Sequence, residues 1–504
     1  MEVFNNLFSG KIRLWNKSQI VLLHIFSLFT PVNKIYKVNK NIKECFNYFF
    51  NFKSKINPLK DDVYELQKNI SDYEGQKLKE FLLKYYHDNN FLNLTLTFID
   101  GHVIAYFGKE AFQKLKHGTR KKIMKALEVF NFSDKNGRIF YFNADHDVEG
   151  MQKNIELLLN DVNRIIGLDK IQILVFDRGA YCGKLFDKLS NKYKIKFITL
   201  AVQNPGIETQ IKRIKKKTKF KKLKGADKKK YGVDKLEIDG ETYRALLILN
   251  TESNEISPFI TNIDEKELSN EELLQNYSMH WRQEQEHNSF VKLGGDMHSK
   301  ALQEIEFEDT TKIKRKKELR NFIEKKKNEI VKLNIESRKL EGKKISLQSR
   351  IKPKSKQTDN KLVREEIKYI TTRIKGINKQ VKALSSEVKK AERKLKKIPE
   401  NPKKKKFKHG PIDYSISIIN LANNINSKLI EIATKGKEKY QLSTLLGSFY
   451  SISAQVSEDE NNIYVEYFNM RQQKQINMVQ NLCDYFNPKN IKLKEKTLKF
   501  TIKT

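Results

Sequence analysis

Apolar positions recur with more than one period along this chain, and the changes of period divide it. Between residues 94 and 202, short apolar runs alternate with amphipathic stretches. LTLTFID (94–100) and HVIAYFG (102–108) predict two adjacent strands, RIFYFNAD (138–145) a third, IQILVFD (171–177) a short buried fourth, and KIKFITLA (194–201) the last. Helical spacing over about 148–166 and 181–192 fills the intervals. Strands separated by helices imply an α/β sheet with some parallel pairing. Further on, KLEIDGETYRALLILN (235–250) places Asp239-Gly240 between two alternating runs, which predicts a hairpin inside a mostly β insertion over about 231–263. A helix over roughly 268–293 follows.

The flanking regions follow helical periods. Residues 1–90 read as short helices, with Leu66, Ile70, Leu78, Phe81 and Leu82 near helical spacing. From Ile367 to Ile398, apolar residues step by three and four without a break, a sustained heptad seam. Leu319, Ile323, Ile330, Leu333, Leu340, Leu347 and Ile351 keep a weaker register, interrupted by Lys326, Ser337 and Lys344. With a polar break at 352–360, the two arms predict an antiparallel helical hairpin, each arm reaching about 50 Å at 1.5 Å per residue. Residues 410–504 read as two helices, the strand NIYVEYF, a helix over about 470–486 and a last strand TLKFTIK. The expected divisions are a helical region at 1–90, a sheet-bearing core at 91–204, a basic run plus β insertion at 205–265, a core helix at 266–310, a basic hairpin at 311–400 and a C-terminal α/β module at 401–504.

Charge sharpens this division. The 504 residues carry 98 Lys+Arg against 61 Asp+Glu, a net of +37. Residues 311–410 hold 36 Lys/Arg against 11 Asp/Glu, and residues 205–230 hold 12 against 2. These two segments account for nearly all the excess, so the remainder is close to neutral. Concentrated positive charge points to a polyanionic partner, nucleic acid first. Lys212, Arg213, Lys215 and Lys216 are the candidate DNA contacts of the shorter segment. Three scattered cysteines exclude a disulfide framework and a Cys-type zinc site and fit a reducing, cytosolic setting. The longest apolar stretch, 20–29, carries His24 and is too short to span a bilayer. No membrane partner is expected.

No Walker-type phosphate loop, GxGxxG, HExxH or GxSxG motif is present. What remains is an ordered set of carboxylates. Asp100 ends the first predicted strand in FIDGH, Asp177 ends the fourth in LVFDRG, and Glu284 lies within the helix at YSMHWRQEQEHNSF. Carboxylates at strand ends converge on one edge of an open α/β sheet, where ligands gather. Three such groups suit Mg²⁺, which prefers a few carboxylates, waters and phosphate oxygens. Two ions about 3.5–4 Å apart can stabilise both oxygens of a phosphodiester displacement. His102 is a second candidate near the metal, against a structural role in a turn. Asp145 or Asp147 is expected to cap the following helix. Arg178 is read either as a phosphate contact or as a local ion-pair partner.

FIDGHVIAYFGK, ILVFDRGAYCGKLFDKL and the Trp281-Arg282-Gln283-Glu284 core resemble the DDE transposases of bacterial insertion sequences, in particular those with a β insertion between the second Asp and the Glu. The resemblance covers most of residues 60–504. It implies an RNase H-like core and makes Asp100, Asp177 and Glu284 the catalytic ligands of two Mg²⁺ ions, with Mn²⁺ able to substitute. It also matches Tyr277 and Arg282 to the family's tyrosine and arginine near the Glu, and Lys292 to its downstream lysine, as contacts to the transposon end. Departures include Gln285, Glu286 and His287 after the Glu, and His280 where arginine is usual. Glu286 is the alternative third ligand. The resemblance further implies cleavage and strand transfer at terminal repeats and a target, at least a homodimer on DNA, and a bacterial, nucleoid-associated location. Two other readings remain open at this stage: a non-catalytic coiled-coil protein that binds nucleic acid, and a Mg²⁺-dependent nuclease on the same scaffold.

Overall fold

The computed structural model describes residues 2–12, 15–28, 60–105, 114–117, 121–145, 149–202, 204–223, 228–280, 304–308, 310–351, 361–401, 403–436, 445, 448 and 452–503. The chain is mixed α/β and divides into two compact units, 1–304 with 407–504, and 305–406. Among the described residues no helix is long and apolar enough to cross a membrane.

The first unit opens with the helices Glu2–Leu7, Lys17–Leu28, Lys60–Asn69 and Asp72–Asp88, and a minimal ladder of β1 (Lys11–Ile12) and β2 (Trp15–Asn16). A capping box starts the helix Asp72–Asp88: the Ser71 hydroxyl accepts from Glu74 N–H, and the Glu74 carboxylate accepts from Ser71 N–H. The sheet follows as β3 (Leu96–Ala105), β4 (Lys114–His117), β5 (Lys122–Ser133), β6 (Ile139–Asp145), β7 (Ile173–Phe176), β8 (Lys196–Leu200), β9 (Lys221–Lys222), β10 (Lys229–Ile238), β11 (Glu241–Asn250) and β12 (Ile256–Thr261). Its spatial order is β4-β5-β3-β7-β8-β12-β11-β10-β9, with β6 also on β5. The centre, β3-β7-β8, is parallel; the other pairings are antiparallel. The helix Gly150–Ile166 connects β6 to β7.

Three features depart from the sequence reading. The two adjacent strands expected at 94–108 are one strand, β3, and Asp100 lies inside it rather than at its end. Gly101 does not turn the chain. It lets β5 lie close instead, since a Cβ there would stand 3.0 Å from the Phe130 ring and 2.9 Å from Glu128 Oε1. The strand that pairs along β3, β5, has no counterpart in the expected set. Finally, the helix expected at 181–192 is broken into a short α-helical turn, Gly183–Asp187, and a π turn, Lys188–Lys192.

The expected hairpin forms. Asp239 (φ 52°) and Gly240 (φ 90°) make the turn, and β10 and β11 pair over ten residues each. Because β12 pairs with β8, the β insertion extends the central sheet.

Alternation gives the sheet two differently packed faces. On one, Ile99, Phe130, Leu174, Phe176, Phe197, Ala245 and Leu247 join the largest core, together with Ile155, Leu158 and Val162 of the helix Gly150–Ile166. On the other, Leu96, Phe98, Val175, Ile198, Leu246 and Ile248 pack with Leu273 and Tyr277 of the helix Asn270–Ser278. The helix His409–Thr434 also belongs to this unit: Tyr414, Ile418 and Ala422 enter the largest core, while Ile412 and Ile416 cover Leu127, Val129, Phe142 and Ala144. It crosses the helix Asp72–Asp88 at two glycines. A Cβ on Gly75 would come 2.6 Å from the Gly410 carbonyl oxygen, and one on Gly410 would come 2.3 Å from that of Ser71. After it, the strands Ser453–Glu458, Asn462–Phe468, Lys492–Leu493 and Lys496–Ile502 form a four-stranded sheet, with the helix Gln473–Phe486 between them in sequence.

The second unit is the expected antiparallel pair, Thr310–Ser349 and Lys361–Lys396. Leu319, Ile323 and Ile330 meet Val388, Ala391 and Leu395 at one end; Leu340 and Leu347 meet Val363, Ile367, Ile370 and Ile374 at the other. Lys326, at a seam position, reaches Glu329 (3.2 Å) and Glu387 (3.5 Å). Lys327–Glu392, Lys343–Glu366 and Arg373–Glu336 also bridge the arms.

Candidate functional site

Asp100 and Asp177 come together because of register. β3 and β7 are parallel and pair Phe98 with Val175 and Ile99 with Phe176, so the two aspartates occupy the next positions side by side. They share a face with Phe98 and Val175, the face under the helix Asn270–Ser278. The pairing of β3 with β7 ends at Ile99–Phe176. Beyond it, β7 gives way to a 3₁₀ turn, Arg178–Ala180, and the Asp177 carboxylate caps that turn by accepting from Arg178 N–H at 2.7 Å. The Asp100 carboxylate accepts from Gly101 N–H at 2.8 Å. The carboxyl ends of parallel strands are where an α/β sheet opens to ligands.

The helix Asn270–Ser278 and the residues just after it bring two aromatic groups to this place. The helix is held in position by a Ser269–Glu272 capping box and by Leu273 in the core. Tyr277 is buried, edge-on to Phe259 at 4.9 Å and stacked with His280. Burial, aided by the Asp177 charge, raises its pKa, so the phenol stays neutral. His280, also buried, places Nε2 3.9 Å from Asp100 Oδ1. Burial lowers its pKa below the usual histidine value, with Asp177 acting in the opposite sense. Burial thus favours the neutral imidazole. Sequence reasoning noted His280 only as a departure from a family pattern; its place beside Asp100 depends on how this helix packs on the sheet.

The other candidates are distributed as follows. His102 shares the Asp100 face, two positions along β3, and is half-buried. Asp145 accepts from Glu149 N–H (2.9 Å) and Gly150 N–H (2.8 Å), as expected for a helix cap, and lies opposite Glu128 on β5. Burial and the Asp145 charge raise the Glu128 pKa, but Glu128 lies toward Gly101 on the sheet's other face. Arg178 is exposed and forms no ion pair among the described residues. Glu284, Glu286, Arg282 and Lys292 lie outside the described residues. Among the described residues, no group of three or more His, Cys, Asp or Glu side chains is placed to hold a metal ion. The two aspartates supply the hard oxygen donors that Mg²⁺ takes.

The basic segment divides between the two faces. The helix Pro205–Lys217 buries Ile207, Ile211 and Ile214 in the largest core, on the side away from the aspartates. Lys212, Arg213 and Lys216 are exposed on it, while Lys215 donates to Asn254 Oδ1 at 2.6 Å. At the far edge of the sheet the alternation reverses the picture. Tyr231 and Val233 pack on the aspartate face, so Lys229 and Lys221, the partner of Tyr231, also point to that side. Lys222 and Lys230, directly opposed, point to the other. Lys229 and Lys221 lie five and six strands across the sheet from Asp100, a lateral separation of about 24–29 Å at about 4.8 Å per strand.

No protein-family model matches the chain, and no curated protein matches it at a significant level.

Proposed function

We propose that the protein is a DNA transposase of the DDE type, built on an RNase H-like core, which cleaves DNA ends and joins them to a target. The observation that carries this reading is the pair of aspartates, side by side on adjacent parallel strands and on one face of the sheet. A chain with a net charge of +37 that gathers two acids where the pairing of β3 with β7 ends suits a cation-assisted reaction on a polyanion. The central order β6-β5-β3-β7-β8, with β5 alone running against its neighbours, is compatible with such a core.

In this reading Asp100 and Asp177, with Glu284 as the third carboxylate, hold two Mg²⁺ ions. Bound there, the ions would lower the pKa of a nucleophilic water or 3′-OH and offset negative charge on the phosphate oxygens. Asp100 and Asp177 fix the donor positions through their backbone hydrogen bonds. Neutral His280 adds no positive charge beside them, so the local field stays favourable to cations. In sequence, Glu284 follows His280 by four residues, the spacing of one helical turn. Arg178, exposed beside Asp177, is available to a phosphate, and the basic helical pair supplies further nonspecific attraction. Two DNA ends are processed together, so the active species is at least a dimer.

Strand transfer of a pre-cleaved end into plasmid DNA tests the proposal. Mg²⁺-dependent joining that disappears in Asp100→Asn and Asp177→Asn, with DNA binding retained, is the expected result. Cleavage without joining would indicate a nuclease instead. DNA binding with neither reaction would indicate an architectural binder centred on the helical pair.

A further inference from the structure

Directly across from Asp100 in the β3–β5 ladder is Asn131. Opposed residues of neighbouring strands point to the same side, so this amide shares the aspartate face. It is 94% buried (6% exposed), and its Oδ1 accepts no hydrogen bond from any described residue. A buried carbonyl-type oxygen left in this state costs folding free energy. Its neighbours along β5 on that face are the packed apolar Val129 and Leu127 and the fully buried Ser133, and an apolar side chain at the position would remove the unpaired oxygen. The sheet order supplies a use for the oxygen. Across the face run Asn131, Asp100 and Asp177, each about one strand spacing, roughly 4.8 Å, from the next. Paired cations in phosphodiester chemistry stand about 3.5–4 Å apart. Asp100 is central, Asp177 lies to one side and Asn131 to the other.

We propose that Asn131 is an oxygen ligand for a hard divalent cation on the β5 side of Asp100. The assignment rests on reading the aspartates as metal-binding carboxylates. Amide oxygens serve hard cations alongside carboxylates, and here the amide adds a donor without adding a third negative charge close to Asp100.

The test is Mn²⁺ binding to the metal-free, full-length protein by calorimetry, together with metal-free melting. Asn131→Leu is expected to weaken Mn²⁺ binding about tenfold or more, while its metal-free melting temperature holds or rises because the buried oxygen is gone. Asn131→Asp is expected to restore binding. Undiminished Mn²⁺ binding in Asn131→Leu overturns the proposal, and so does a fall in its metal-free melting temperature, which would mark a packing role. The two levels of inference separate cleanly. If wild-type protein takes up no Mn²⁺, the metal reading of the aspartates fails as well. If Asp177→Asn loses the ion while Asn131→Leu keeps it, the Asn131 assignment alone fails.

Discussion

The two faces of the central sheet use the same strands to different ends. One is sealed: Phe130, Phe176, Phe197 and Leu247 lie under helices in a continuous core. The other is interrupted. Along β3, Leu96 and Phe98 belong to one apolar cluster and Ile104 packs against another, with Asp100 and His102 between them. The sealed face is continuous apolar core and the interrupted one carries polar groups, and the period of two lets one strand serve both.

If the interruption is the site, Asp100→Asn and Asp177→Asn should produce the largest effect on activity, loss of Mg²⁺-dependent cleavage by at least about a thousandfold, with near-normal melting. Gel assays of plasmid cleavage beside calorimetric scans would check both halves. On the sealed face the outcome should invert: Phe197→Ala should cost about 3–5 kcal/mol of stability, measured by urea unfolding, with no specific catalytic defect in the protein that remains folded.

Packing between the helices gives an intermediate test. Gly410→Ala should destabilise the first unit by about 1–3 kcal/mol, because its methyl group would run into the Ser71 backbone. Unchanged unfolding would mean that the crossing has slack.

Charge gives a finer comparison. Reversing Lys221 and Lys229 should lower the slope of log K against log salt by about 1.8 for duplex DNA, as two lost phosphate contacts would. Reversing Lys212 and Lys216, on the sealed side, should change it less. Equal effects would erase the distinction between faces. The smallest effect concerns pH. His280 has a lowered pKa in the folded protein, chiefly through burial. The unfolded chain therefore takes up its proton first, so this residue's contribution to stability is full above about pH 6.5 and is lost as pH falls below it. His280→Gln should melt with a shallower acid dependence between pH 7.5 and 5.5.

How much of this was legible in sequence depends on whether the signal is local. The heptad seam named its own partners, and Asp239-Gly240 named its own turn. β5 did not. KIMKALEVFNFS begins with the exposed Lys122 and Ile123 and ends buried on both faces, so neither alternation nor a uniform apolar run marks it. Without β5, the continuity of β3 through Gly101 was also hidden, and Asp100 was read at a strand end. The aspartate pair was recovered because each acid stands after an apolar run. Asn131 was not, since its relevance comes only from the residue across the ladder. Lys212 and its neighbours were legible as charge, but the side of the sheet they occupy follows from the burial of Ile207, Ile211 and Ile214.

The helix His409–Thr434 has a further consequence for biosynthesis. It completes a core begun by the helix Asp72–Asp88 and by β6, yet it is made only after the sheet, the β extension and the whole helical pair. At 5–20 residues per second, the early segments wait roughly 15–60 s for it on the ribosome. Their apolar sides are open to chaperones throughout that interval, and a message truncated before residue 409 yields a protein that cannot close its core. Production of intact protein is thereby tied to complete translation of the basic arm.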